Sequence, residues 1–141
     1  MPKKIIVILI LLVLYLLSEP TPVFQGCKIW HHFIFHFYHS NIWHLLANAS
    51  CIYAMKKFRW LESYAVAFLC SWLIVTPTVG ISGIVFAAIG FNLGERGVWK
   101  GLLKCSFSAF LFGLMPGVSM LFHVACLLVG FLSIYLWRVF R

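Results

Sequence analysis

The chain has 141 residues, of which 63% are hydrophobic and 10% charged, with a mean hydropathy of +1.00. Such values lie outside the composition of an ordinary soluble domain, and they point to a single membrane domain over residues 1–141 with no soluble domain attached. The net charge of +8 does not imply nucleic acid, because the basic residues fall in small groups between apolar runs, without a basic stripe or recognition helix.

Apolar runs fall at roughly 5–18, 42–55, 61–77, 81–94, 98–115 and 118–137, separated by charges, prolines or short polar patches. Their spacing predicts an all-α, polytopic membrane protein with six transmembrane helices, although several runs are shorter than the about 20 residues that cross a bilayer. Run 5–18 also has the length of a signal-peptide core behind Lys3 and Lys4. Ser18-Glu19-Pro20-Thr21-Pro22 lacks a small-x-small cleavage pattern, however, so it reads as an anchor.

Alternating the loops puts Lys3, Lys4, Lys56, Lys57, Arg59, Arg96, Lys100, Lys104, Arg138 and Arg141 on one side and only Lys28 on the other. This bias predicts both termini in the cytoplasm, segment 19–40 outside, and a multi-pass location in a cell membrane such as the bacterial inner membrane. Trp30 and Trp43 then mark the outer interface, and Trp60, Trp99 and Trp137 the inner one.

Polar groups are few. His44 and Asn48 are four apart and share one face of the second long helix, a pattern that suits interhelical packing as well as a catalytic site. Thr76-Pro77-Thr78-Val79-Gly80 reads as a break, after which Ser82 stands between glycines at the start of a helix. Gly80 and Gly83 let backbone come close and leave N–H groups available, as an oxyanion site requires; Gly83, Ala87 and Gly90 equally read as a small-residue packing face. His123, about one turn into the last helix, lies at a depth similar to His44 and Ser82. Glu19, Glu62 and Glu95 all fall in loops or at helix ends, so a Ser82–His123 dyad, rather than a triad with a carboxylate, is the chemistry this composition permits.

His31, His32, His36 and His39 cluster within nine residues, but they read as an aromatic and histidine segment at the outer interface. No metal site and no cofactor is expected. Cys27, Cys51, Cys70, Cys105 and Cys126 form no C-x-x-C pair and argue against a disulfide framework or zinc site.

Taken together, His44 and Asn48, Gly80-Ile81-Ser82-Gly83, His123, and the stretch Phe37-Tyr38-His39-Ser40-Asn41-Ile42-Trp43-His44 resemble the rhomboid intramembrane serine proteases over nearly the whole chain. The resemblance implies a six-helix rhomboid-like core in which Ser82 is the nucleophile and His123 the general base. It implies oxyanion stabilisation by His44, Asn48 and the Ser82 N–H, with site support from His39, Gly80, Gly83 and Phe86. Two positions depart from the family pattern: His31 follows Trp30 where an arginine is usual, and Cys126 stands where a glycine is common.

On this reading the protein is a serine endopeptidase that hydrolyses peptide bonds in or near transmembrane segments. Its partners are transmembrane protein substrates and membrane lipid, with no nucleic acid and no soluble cofactor. The alternatives are a non-catalytic rhomboid-like protein that binds transmembrane helices, and a small transporter or channel. The transporter reading lacks paired carboxylates in the spans and a repeated broken-helix motif.

Overall fold

The structure, a computed structural model, describes residues 3–113 and 119–141, leaving out the side chains of Lys3 and of residues 109–113. Seven α-helices follow in order among the described residues: α1 Lys3–Leu17, α2 Ile29–Ile34, α3 Ile42–Ala54, α4 Trp60–Cys70, α5 Ser82–Arg96, α6 Trp99–Gly113 and α7 Met120–Val139. Short 3-10 turns, Phe35–Phe37 and Ser71–Leu73, follow α2 and α4.

α5 is the central helix. Ile84, Val85, Ala87, Ala88, Gly90 and Phe91 are all buried, because both its small and its large residues meet neighbours. Its closest partner is α7. A Cβ at Gly90 would meet the Leu127 carbonyl oxygen, one at Gly130 the Ala87 carbonyl oxygen, and one at Gly94 the Phe131 carbonyl oxygen. The two backbones therefore touch along a seam of small residues, a form of close helix contact that small side chains permit and that at Gly90, Gly94 and Gly130 leaves no room for a Cβ. α6 packs against both α7 and α5, where Leu102, Leu127 and Phe131 form a separate buried cluster flanked by Phe86, Ile89 and Leu93 of α5, with the Trp99 ring 4.6 Å from that of Phe131.

At the far end of α5, Glu95 receives Lys57 at 3.0 Å and Arg59 at 3.1 Å, and its carbonyl accepts from Arg138 at 3.2 Å. Lys4 donates to the Met55 carbonyl at the end of α3. This charged end lies about 20 Å along the helix axis from Ser82.

The segment between α1 and α3 is docked rather than loose. Val23 and Thr78 exchange backbone hydrogen bonds of 2.9 and 3.0 Å, and the Gly80 N–H donates to the Phe35 carbonyl at 3.0 Å. Tyr64 in α4 donates to the Phe33 carbonyl at 2.9 Å. His32, His36 and His39 are all buried, which corrects the reading of this segment as an interfacial strip of histidines and aromatics.

The six-span expectation needs a larger correction. Among the described residues, one helix, Met120–Val139, is long and apolar enough to cross a membrane; Lys4–Leu17 is a shorter apolar helix. The physical reason is length. The 13 residues of α3 and the 11 of α4 rise about 20 and 16 Å, against a hydrocarbon core of about 30 Å. Run 61–77 does not continue as one helix, since Ser71–Leu73 tightens into a 3-10 turn and Ile74 is extended. The end of run 98–115 and the start of run 118–137 lie partly outside the described residues.

The chain is thus all-α, but its described helices do not make a six-span rhomboid-like core. The multi-pass inner-membrane location with both termini cytoplasmic, and the transmembrane substrates and membrane lipid as partners, were inferred from six spans and fall with them. Large apolar side chains nevertheless face outward on α1, α3, α4, α6 and α7, among them Leu17, Trp43, Leu69, Leu103 and Leu136, so the core uses only part of the apolar composition.

Candidate functional site

Two residues 41 apart in sequence meet at the head of the α5–α7 seam: Ser82 Oγ lies 2.7 Å from His123 Nε2, and both side chains are buried. Ser82 occupies the first position of α5, where backbone N–H groups have no helical acceptor. His123 sits in the first turn of α7, its N–H bonded to the Ser119 carbonyl at 3.2 Å. For the Ser82 hydroxyl to donate, Nε2 must be unprotonated, with the imidazole proton on Nδ1. Nδ1 is buried and has no hydrogen-bond partner among the described residues.

Aromatic rings fix the imidazole from two sides. Phe86, one turn along α5 from Ser82, has its ring 5.1 Å from that of His123, and Phe122 lies at 5.3 Å. Phe122 also fills the space in front of Gly83, where a Cβ would collide with its ring. Gly83 is therefore required by packing, and its small size lets Phe122 reach the helix start.

His44 reaches the same region from α3. Asn41 caps that helix by accepting the His44 N–H at 2.9 Å, which sets the first turn and the direction of the side chain. The His44 ring lies against Gly80, where a Cβ would stand 3.0 Å from Nε2. Gly80 also has φ +126°, a conformation that favours glycine, so it is demanded twice over. One turn further along α3, Asn48 is buried and its Nδ2 has no partner among the described residues. His39 packs edge-on to His44 with ring centroids 5.2 Å apart. Burial, and secondarily the neighbouring His44, hold the His39 imidazole down to about 3, so it is neutral at ordinary pH.

The structure thus brings Ser82 and His123 into direct contact, sets Phe86 on His123, His44 on Gly80 and His39 on His44, and puts Phe122 against Gly83. Sequence reading missed Phe122, whose only signal was its place beside His123. It also missed a second constellation, in which His32 bridges Cys27 and Ser71. No group of three or more His, Cys, Asp or Glu suited to a metal ion occurs among the described residues.

Comparison with known proteins finds a protein of Acanthamoeba polyphaga mimivirus named "Putative rhomboid protein". It is 27% identical to this chain over 156 residues, an alignment covering 94% of this chain and 88% of the relative. No protein-family model matches the chain, and no solved structure matches it.

That distant likeness does not offset the helix lengths. The resemblance to rhomboid proteases, the assignment as an intramembrane serine endopeptidase acting in or near transmembrane segments, and the alternative of a rhomboid-like helix-binding protein all presuppose the six-span bundle. With one helix of spanning length among the described residues, they are set aside. The Ser82–His123 contact is a separate observation and does not depend on the number of spans.

Proposed function

We propose that Ser82 and His123 are the nucleophile and general base of an acyl-transfer centre. The observation that carries this reading is the 2.7 Å Oγ–Nε2 hydrogen bond between two buried side chains at a helix start. The pair has the geometry that general-base activation of a hydroxyl requires. The Ser82 N–H, His44 and Asn48 are the candidate oxyanion donors, Asn48 having an unpaired buried amide to offer. His39, Gly80, Gly83 and Phe86 support the site, Gly80 by letting His44 approach and Phe86 by packing on His123.

In the first step the Ser82 proton passes to His123 Nε2 as Oγ bonds to the acyl carbon. The leaving group then departs with that proton, giving an acyl-serine. An incoming water or alcohol returns its proton to Nε2 as it attacks, and in leaving Ser82 regenerates the hydroxyl. Since no partner holds His123 Nδ1 among the described residues, the imidazolium formed midway has less support than in a triad. The chemistry therefore favours acyl donors with good leaving groups, such as activated esters, which need little help from an acid.

The test is labelling by a fluorophosphonate probe together with hydrolysis of a p-nitrophenyl ester, in the parent, Ser82→Ala and His123→Ala. Labelling and turnover by the parent, abolished in Ser82→Ala and reduced by about 100-fold or more in His123→Ala, are expected. No labelling of a cooperatively folding parent, or labelling that persists in Ser82→Ala, refutes the proposal and leaves the pair as a hydrogen bond that fastens α5 to α7.

A further inference from the structure

Cys27, His32 and Ser71 form a chain of polar contacts that the Ser82 site does not use. Cys27 Sγ lies 3.6 Å from His32 Nε2, a normal length for a thiol hydrogen bond, and His32 Nδ1 lies 2.7 Å from Ser71 Oγ. The Ser71 hydroxyl proton is already committed, since Oγ donates to the Phe68 carbonyl at 2.6 Å. Ser71 Oγ can therefore only accept from His32, which puts the imidazole proton on Nδ1 and leaves Nε2 bare towards the thiol. Two hydrogen bonds thus determine one tautomer, and it is the tautomer in which His32 is a base for Cys27.

The imidazole is also held in place. His32 is buried and stacks on Trp72 with centroids 4.0 Å apart and planes at 16°. Next to it in sequence, His31 Nδ1 donates to the Pro22 carbonyl at 2.8 Å. Cys27 itself is half-buried, so a reagent can reach it. Around it the chain offers an apolar surface: Phe24, Ile29, Trp30 and Trp72 all remain exposed. Burial first, and His31 second, lower the basicity of His32, so it begins neutral and is free to accept a proton.

We propose that Cys27 is a second nucleophile, activated by His32 and positioned through Ser71, which takes a long-chain acyl group from an acyl thioester. The thiol proton moves to His32 Nε2 as Sγ bonds to the thioester carbonyl carbon. The carbon–sulfur bond to the donor then breaks, and the departing thiolate takes the proton from Nε2. One thioester replaces another, with no redox change. A thiol leaving group matches the attacking thiol, so the exchange needs no strong acid, which suits a neutral imidazole. The apolar side chains beside Cys27 fit an acyl chain rather than a polar one. Ser71 is a positioning residue, acting on the thiol only through the His32 tautomer.

The experiment incubates the full chain with palmitoyl-coenzyme A and follows hydroxylamine-sensitive acylation of each cysteine by peptide mass spectrometry. Cys51, which is more exposed but has no histidine beside it, is the internal reference. Acylation of Cys27 at least about tenfold faster than of Cys51 is expected, falling by about 100-fold in His32→Gln. Ser71→Ala lowers it as well, and Ser71→Thr, which keeps the hydroxyl, restores it. Equal or slower acylation of Cys27 in the parent overturns the proposal, and this comparison needs no variant to fold. Rapid alkylation of Cys27 by iodoacetamide without transfer from the thioester also overturns it. Ser82→Ala should leave Cys27 acylation unchanged, which separates this centre from the first.

Discussion

Gly90 in α5 and Leu127 in α7 meet backbone to backbone, the Leu127 carbonyl occupying the space where a Gly90 side chain would begin. Gly130 repeats the contact in the other direction against Ala87. Main chain, unlike a side chain, cannot rotate out of the way, so these contacts set the distance between the helices. Ser82 lies eight residues before Gly90, and His123 four before Leu127. Their hydrogen bond therefore closes the same seam and inherits its spacing.

Substitution in the seam should damage stability and site together. Gly90→Val or Gly130→Val is expected to cost about 3 kcal/mol or more, at or beyond the upper range for overpacking, because the obstacle is backbone. Thermal unfolding measures the loss, and fluorophosphonate labelling of the surviving folded protein should fall as Ser82 and His123 part. Gly101→Ala is the control. Its Cβ would meet only the Leu93 and Val98 side chains, so a cost comparable to that at Gly90 would contradict the backbone argument.

His44→Ala and Asn48→Ala test the oxyanion assignment. Each is expected to lower kcat for ester hydrolysis by about 100-fold with little change in KM, as for donors that act on the charge formed in the transition state. A rise in KM at constant kcat would instead make them ground-state binding groups. Gly80→Ala should reduce kcat too, since it forces the His44 ring away and strains a φ of +126°.

Acid should weaken the fold through two buried histidines. Burial first, and then His32, hold His36 down to about 3; burial and then His44 do the same for His39. Their ordinary value is 6.5. Between those values the unfolded chain binds protons that the folded chain refuses. Stability is therefore fully present above about pH 6.5 and is lost progressively as pH falls towards 3. At pH 5 the loss is about 2 kcal/mol for each histidine. Melting temperatures at pH 7.5 and 5 check this, and His36→Phe, next to the Phe35 ring, should flatten the dependence. Equal melting temperatures in the parent would mean that neither imidazole is held neutral.

The charged end of α5 should matter less. Glu95 is held below the usual carboxylate range by its hydrogen bond from Lys57, with Arg59 adding to it. Lys57 is exposed, and Arg59 and Glu95 are half-buried with a third of their side-chain surface open to solvent, so Glu95→Gln is expected to cost about 1 kcal/mol or less, and less still in high salt. Labelling of Ser82, about 20 Å away along α5, should not change. A fall in labelling without unfolding would show coupling along α5 that the contacts do not provide.

Ser82, His123 and the glycines around the serine were legible because each stands out against an apolar background, where a polar residue needs a reason. Phe86 and His39 were reached through resemblance, and their contacts with His123 and His44 are seen in the structure. The Cys27–His32–Ser71 chain was not legible. His32 and Ser71 are 39 residues apart, and a serine at a helix end is too common to signal anything. Span number was misread for a different reason: hydropathy runs measure apolar length along the sequence, whereas crossing a bilayer requires unbroken helical rise. At Ser71–Leu73 and Ile74 the run continues but the helix does not.

By itself, then, the sequence determined an all-α chain, the places of its long helices, and a serine and a histidine poised at the starts of two of them. Apolar periodicity, glycine breaks and scarce polar groups are local properties, and the chain carries them openly. Only the tertiary structure decided how long each helix runs, that Ser82 meets His123 at 2.7 Å, and that the histidines of the first loop are buried rather than displayed. Those outcomes, which for the first loop concern His32, His36 and His39 and not the half-buried His31, depend on how closely α5 and α7 approach and on how the first loop docks against α4 and Gly80. Such distances arise between residues remote in sequence, so no local pattern could state them.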